Sequence, residues 1–477
     1  MSQSKTTSRQ VRIVGVVVFG AFLALLNQTV MSPALPVIMA DFAIDASTAQ
    51  WIMSIYPLVS GIMVPVSAFL IDRFSTRRLF FAATGTFAIG TALCALSPTF
   101  FLLICGRVLQ AAASGVLLPL VAVVPMLVFP VEKRGTAMGI AGIVMSAGPA
   151  VGPVVGGAII DSYGWRVTLG CIVPLALVIL IAGMFLLENV GELKRPKLDV
   201  PSVILSTVAF GGMLYGFSSV SSLGWTSPVV LVAIAAGFVC LALFVRRQLK
   251  LDEPLLELRC LKSGDFCVAA IVVTLINAAC LVTNTLLPIL LQTAMGASAL
   301  ETGMVMLPAA AVGIIISPLS GVIFDKFGPR TISIIGLTMM TAALFALSRM
   351  GADSPIVLVA VLCAAQAAGQ SLANMPVNTW GVNALENNLI AHGNAIANNG
   401  RQVAGGLGTA IIVTLMTSVT MSASAGGAST VAATVSGTSA AYMACAGIGL
   451  VSLVFGIIKI RNPKKRAAAA AAQTEEA

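Results

Sequence analysis

The chain has 477 residues, of which 58% are hydrophobic and only 9% charged, with a mean hydropathy of +1.00. Soluble domains carry about 25% charged residues, so a water-solvated fold of this size is excluded and the lipid bilayer becomes the expected partner. The net charge of +9 sits in short loops between apolar runs, which excludes nucleic acid as a partner and fits the positive-inside rule instead.

A spanning helix needs roughly 20 mostly apolar residues. Taken in chain order, such runs occupy residues 12–34, 50–71, 79–97, 99–128, 137–160, 166–187, 200–218, 228–247, 266–291, 301–324, 330–348, 355–378, 398–420 and 437–458. The expected fold class is therefore an all-α polytopic membrane protein of fourteen transmembrane helices. The first run is too long for the apolar region of a cleaved leader and is retained as a helix. If the N-terminus is cytoplasmic, every Lys and Arg except Arg107, Arg166 and Arg349 falls in a cytoplasmic segment. Both termini are thus expected on the cytoplasmic side of the cell membrane. The tail, residues 464–477, is a basic cluster followed by alanines and acids; it is expected to be disordered, with its basic end at lipid headgroups. The nine cysteines are scattered without a CxxC pair, so neither a disulfide nor a metal site is expected.

One loop pattern occurs twice. After the second helix the chain reads Ala68-Phe69-Leu70-Ile71-Asp72-Arg73-Phe74; after the tenth it reads Gly321-Val322-Ile323-Phe324-Asp325-Lys326-Phe327-Gly328-Pro329-Arg330. Asp72 with Arg73, and Asp325 with Arg330, are candidate gating charges, because an acid at a helix end can pair with bases and helix dipoles. Such a repeat is how many transporters are built. It divides the chain into a six-helix bundle over 1–190, two inserted helices with linkers over 191–260, a second six-helix bundle over 261–463, and the tail.

These residues, with others in order, resemble the major facilitator superfamily and, within it, the fourteen-helix drug:proton antiporter branch. Trp51, Tyr56 and Pro65 precede the Asp72 loop, and the fourth helix carries Arg107 and Gln110 as Arg-x-x-Gln. The fifth carries Gly148-Pro149-x-x-Gly152-Pro153-x-x-Gly156-Gly157, which looks like the antiporter motif. The run Leu291-Gln292, Gly296, Gly303, Pro308, Pro318 and Gly321 is similar to helices 9 and 10 of the branch. His392-Gly393-Asn394-Ala395 through Arg401-Gln402 and Gly405-Gly406 looks like the start of its helix 13. The resemblance implies a monomeric exporter of small molecules working by alternating access. It also implies a proton gradient as energy source with no bound cofactor, a leak-preventing role for the fifth-helix motif, and a part for Arg107 in proton coupling. Glycines four apart allow close helix approach, and the prolines favour a bend.

Arg107 is the sharpest single residue, since an arginine at a helix centre costs roughly 2.5–3.5 kcal/mol on insertion scales and is normally functional. The sequence departs from the branch beside it. Where the branch carries an aspartate, the chain reads Leu26-Asn27-Gln28-Thr29-Val30, and an amide cannot exchange a proton near neutral pH. None of the 18 acids falls within a predicted helix core, and the one histidine, His392, is in a predicted cytoplasmic loop. Asp161, Glu301 and Asp72 remain as candidate proton carriers. With Asn27 in place of an acid, Arg107 is left for the substrate, which favours an anionic or zwitterionic compound over a lipophilic cation. The expected cavity lining is Asn27, Gln28 and Gln110; Asn277, Asn284 and Gln292 on one face of the ninth helix; and the stripe Gln366, Gln370, Asn374 and Asn378 on the twelfth. The competing reading within transport is an uncoupled or differently coupled carrier of an anionic or zwitterionic metabolite or lipid. A receptor fits the duplicated halves poorly. An enzyme lacks a nucleophile, carboxylate pair or metal cluster within the helices, and an ATP-driven pump lacks a phosphate loop.

Overall fold

In a bilayer each backbone N–H and C=O must find a partner inside the protein, so the apolar runs have little choice but to become helices. The computed structural model describes residues 8–129, 131–190, 199–251, 254–386 and 389–460; within its helices some side chains, those of Asp72 and Asp325 among them, are outside the described set. The helices are α1 (Ser8–Phe42), the single turn α2 (Ala46–Ala49), α3 (Trp51–Arg73), α4 (Thr76–Ala95), α5 (Phe100–Val128), α6 (Val131–Gly170), α7 (Ile172–Leu186), α8 (Val200–Leu223) and α9 (Pro228–Gln248). After them come α10 (Gly264–Pro288), α11 (Ala299–Phe327), α12 (Pro329–Leu347), α13 (Ile356–Val382), α14 (Ile390–Ala425) and α15 (Thr430–Lys459). Among the described residues, twelve stretches are long and apolar enough to cross a membrane.

Two features qualify that number. One of the twelve runs from Ala147 to Leu186, yet Gly164 inside it has φ 82° and ψ 166°, a conformation that only glycine adopts without strain. Beside the break, Trp165 and Arg166 both donate to Asp41 Oδ2, at 3.2 and 2.6 Å. Pro149 and Pro153, where a bend was expected, keep helical backbone angles. The second feature is α3, a 23-residue helix that is not among the twelve.

Several boundaries differ from the expected ones. Helix α1 passes through Pro33 and Pro36 to Phe42. Helix α14 begins at Ile390 rather than near 398, which moves Arg401 from the first turn of the helix to a place well inside it. Helix α11 starts at a capping box, in which Ser298 Oγ accepts from Glu301 N while Glu301 accepts from Ser298 N. Asp199 precedes α8 and accepts two hydrogen bonds from the Arg247 guanidinium, at 2.7 and 2.8 Å. That fork holds its carboxyl below the usual carboxylate range and clamps the ends of the α8–α9 pair together.

The repeat seen in the loops recurs in the packing. In the N-terminal set of helices, a Cβ on Gly90 of α4 would lie 2.9 Å from Gly106 O of α5, and one on Gly106 would lie 2.8 Å from Gly90 O. In the C-terminal set, Gly336 of α12 and Gly369 of α13 meet in the same reciprocal way, each missing Cβ 2.6 Å from the other's carbonyl oxygen. Both pairs let two backbones touch. Outward faces present large apolar side chains, Phe101 and Phe185 being 76% and 81% exposed, as lipid contact requires.

Candidate functional site

A cavity of about 480 Å³ lies between the N-terminal helices α1–α7 and the C-terminal helices α10–α15. Its polar lining includes Gln28, Thr29 and Ser32 on α1, Arg107 on α5, Asn284 on α10, and Gln366 and Gln370 on α13. Polar side chains on otherwise apolar helices are confined to such interior faces because lipid offers them no partner.

Arg107 is completely buried. Its Nη1 donates to Asn27 Oδ1 at 3.1 Å and to Gln110 Oε1 at 2.9 Å, and its Nε and Nη2 donate to Ile52 O at 3.4 and 3.3 Å. The guanidinium also lies over the Tyr56 ring, 4.4 Å from the centroid, while Tyr56 Oη donates to Ala24 O at 3.0 Å. The two amides are oriented from behind: Asn27 Nδ2 and Gln110 Nε2 both donate to Thr91 Oγ1, at 3.5 and 3.0 Å, and Thr91 donates to Phe87 O. The result is a closed ring that turns both amide oxygens toward the cation. The charge is dispersed over neutral dipoles and a ring face, with Asn27 standing where the family branch it resembles carries an aspartate.

The motif helix α6 divides its faces among three neighbours. Gly148, Gly152 and Gly156 abut α1, where an added Cβ would meet Leu25, Thr29 and Val30. Pro149 and Pro153 turn toward the cavity. Gly157 meets α11: its missing Cβ would sit 2.3 Å from Ala299 O, and that of Gly303 on α11 would sit 2.3 Å from Pro153 O. Just beyond, both carboxylate oxygens of Asp161 accept from the first N–H groups of α11, Ala299 at 3.0 Å and Leu300 at 2.8 Å, where the helix dipole favours negative charge. Other bonds join the two sets nearby. Ser32 Oγ donates to Asn284 O, and Gln292 Nε2 donates to Pro33 O at 2.8 Å. The bundle is thus sealed at the Asp161 end.

Of the residues singled out in the sequence, the structure brings Asn27, Gln28, Arg107, Gln110, Asn284, Gln366 and Gln370 together at or just behind the cavity wall. Asn374 and Asn378 line a second, adjoining chamber. Asn277 folds back onto Val273 O of its own helix and lines neither chamber, and Gln292 serves the seam. Arg73 is exposed at the end of α3, and Arg330 donates to Ile457 O at 3.2 Å. The side chains of Asp72 and Asp325 lie outside the described residues, so the gating pairs do too. Sequence reasoning missed Thr91, whose role depends on two amides from other helices. It also missed the place of Arg401, because α14 starts about two turns earlier than its hydropathy suggests.

Asp161→Asn tests the seal. Loss of a charge at an exposed helix N-terminus is worth about 0.3–1 kcal/mol. The expected result is a roughly two- to fivefold rise in labelling of a Met306→Cys cavity reporter by a membrane-impermeant maleimide added at the Asp161 end. Unchanged labelling would mean that the carboxylate does not hold the seam.

Two opposed helix sets around a central cavity with polar side chains in its wall, sealed at one end and built mainly of helices long and apolar enough to cross a membrane, define a multi-pass membrane carrier. The sequence profile of the Major Facilitator Superfamily matches residues 17–409, and the chain belongs to that family. An uncharacterized MFS-type transporter of Bacillus subtilis (strain 168), YcnB, is 39% identical over 465 residues, covering 98% of both chains. The lincomycin resistance protein LmrB of Listeria monocytogenes is 36% identical, covering 87% of this chain and 89% of its own. A crystal structure of a bacterial homolog to the human lysosomal transporter Spinster, inward-facing and unoccupied, superposes with a TM-score of 0.72 at 14% identity. The match covers 96% of this chain and 97% of that one, a likeness of fold.

Proposed function

We propose that this chain exports amphipathic small molecules across the cell membrane by alternating access, using the proton gradient. The observation that carries the reading is the cavity between the two helix sets, sealed at one end by backbone packing that leaves no room for a Cβ. A seal without bulky side chains suits a joint that opens and closes. In this reading the stretch from Ala147 to Leu186 is parts of two crossings, α6 up to Gly164 and the residues beyond it together with α7, and α3 is a crossing too, which makes fourteen. Helices α1–α7 and α10–α15 are two six-helix bundles, and α8–α9 are an insertion. The Asp161 end faces outward, both termini are cytoplasmic, and the arrangement described is the inward-facing state of a monomer. The resistance name of the lincomycin relative supports a drug as cargo.

A second reading is favoured by one feature. The described lining of the cavity contains Arg107 and no carboxylate, which suits an uncoupled or differently coupled carrier of an anionic or zwitterionic metabolite or lipid. Everted membrane vesicles separate the two. Accumulation of a panel of cationic, neutral and anionic compounds, lincomycin included, is followed with and without a proton gradient. Export that collapses with a protonophore supports the antiporter. Accumulation indifferent to the gradient supports the second reading, and none at all in either condition removes both.

A further inference from the structure

The main cavity continues away from the sealed end into a second chamber of about 350 Å³, the two sharing Ser317, Gln370 and Ser371. Its far wall is Asn374, Met375, Asn378 and Arg401. Gln370, Asn374 and Asn378 recur every four residues and share one face of α13. They offer only neutral amides, and among the described lining residues of both chambers there is no Asp or Glu.

Arg401 differs from Arg107 in what its charge meets. Arg107 spends its donors on three neighbouring oxygens and a ring. Arg401 donates from Nη2 to Asn398 Oδ1, three residues back on its own helix, at 3.1 Å, and makes no ion pair among the described residues. A guanidinium presents five N–H donors in a planar fork shaped for carboxylate, sulfonate or phosphate oxygens. Removing it from water without a counter-charge is costly, so a cation kept half-buried at the wall of an amide-lined chamber calls for an anion that arrives from outside. Beyond it the main cavity offers Met53, Leu281, Leu287, Met306 and Ile314, an apolar bed for the rest of such a molecule.

We infer that Arg401, with Gln370, Asn374 and Asn378, forms a loading site for the anionic head of an amphipathic substrate whose apolar body lies in the main cavity. The inference rests on the transport reading and sharpens it, moving the head-group ligand from Arg107 to Arg401. The anion is either that of a free amphiphile or that of a lipid, since both present the same oxygens.

The test uses the full chain in phosphatidylcholine nanodiscs and three fluorescent probes: dansylaminoundecanoic acid, its methyl ester and the matching undecyl amine. Wild type is expected to bind the acid about tenfold more tightly than the ester or amine, a difference of about 1.4 kcal/mol. Arg401→Gln should bring the acid's affinity down to that of the ester and leave the ester's within about twofold, whereas Arg401→Lys should keep part of the preference. Asn378→Asp, which sets a carboxylate in the same chamber, should weaken the acid and favour the amine. Displacement of the acid by added phosphatidylglycerol identifies a lipid headgroup as an occupant; no displacement leaves the free amphiphile. Equal affinity of wild type for acid and ester overturns the inference, as does an equal loss of both in Arg401→Gln with an unchanged melting temperature. Charge-selective binding without movement of any probe into proteoliposomes would leave the anion site standing and remove the transport reading.

Discussion

Gly157→Val is expected to abolish transport by holding the Asp161 end of the bundle ajar. The first carbon added at this position already falls 2.3 Å from Ala299 O. Ordinary contact between carbon and oxygen needs about 1 Å more, and a backbone carbonyl at the start of a helix cannot swing aside like the end of a flexible side chain. Helices α6 and α11 must part, and the Asp161 hydrogen bonds to Ala299 and Leu300 are lost with the contact. Overpacking of this kind costs about 1–3 kcal/mol or more, enough to shift an equilibrium between two conformations by roughly fivefold to more than a hundredfold. The measurement is paired. Export in everted vesicles should fall at least about tenfold, and labelling of the Met306→Cys reporter from the Asp161 end should rise by a similar factor. Gly303→Val should reproduce both changes, because its Cβ meets Pro153 O on the same seam. Export near the wild-type level in both variants would show that the seam does not move.

Arg107→Ala should remove transport while leaving the protein folded, and opposing magnitudes explain why. The substitution leaves Asn27 Oδ1 and Gln110 Oε1 without their donor, at roughly 1–3 kcal/mol for each unpaired buried acceptor. It also relieves the bundle of a buried cation, which costs roughly 2.5–3.5 kcal/mol on insertion scales. These terms are of similar size and opposite sign, so the melting temperature is expected to move by only a few degrees while transport falls more than about tenfold. Unfolding in step with lost activity would make Arg107 a structural residue. Asn27→Asp completes the experiment. It places a carboxylate 3.1 Å from the guanidinium without changing the outline of the side chain. If wild type moves compounds without protons, as a pH-sensitive dye in proteoliposomes reports, Asn27→Asp should make proton movement accompany them. If wild type already couples, the carrier acid belongs at Asp161, Glu301 or Asp72.

The membrane class and the order of the apolar runs were legible because lipid imposes a length and a polarity on each helix independently of the others. The stripe Gln366, Gln370, Asn374 and Asn378 was legible for the same reason, since its spacing belongs to a single helix. The glycine face of the fifth predicted helix was legible as a packing surface, but not the division of labour within it. Nothing in the run Gly148 to Gly157 says that three glycines serve α1 and the last serves α11. Asn27, Gln110 and Thr91 form a ring only when α1, α4 and α5 come together, so the sequence showed a missing acid without showing the neutral shell that replaces it. Asp161 was legible as a candidate proton carrier but not as a clasp on α11, because its partners are backbone N–H groups, which every residue but proline possesses. Arg401 was counted with the cytoplasmic charges, since the polar turns His392 to Asn399 conceal a helix that begins at Ile390.

The α8–α9 pair leaves the two lateral seams of the bundle unequal. Helix α8 lies against the α3–α14 seam and touches both sides of it. Gln50 Nε2 donates to Ser218 Oγ at 2.6 Å, Thr414 Oγ1 donates to Phe217 O at 2.9 Å, and Leu214 packs with Ile55, Leu58 and Ala410. On the other flank, α6 and α11 present Val151, Val155, Met304 and Ile315 directly to lipid. A molecule dissolved in the hydrocarbon layer therefore meets a shuttered window on one side of the protein and an unshuttered one on the other. Traffic between bilayer and cavity acquires a handedness that the same bundle without α8 and α9, open on both flanks, would lack.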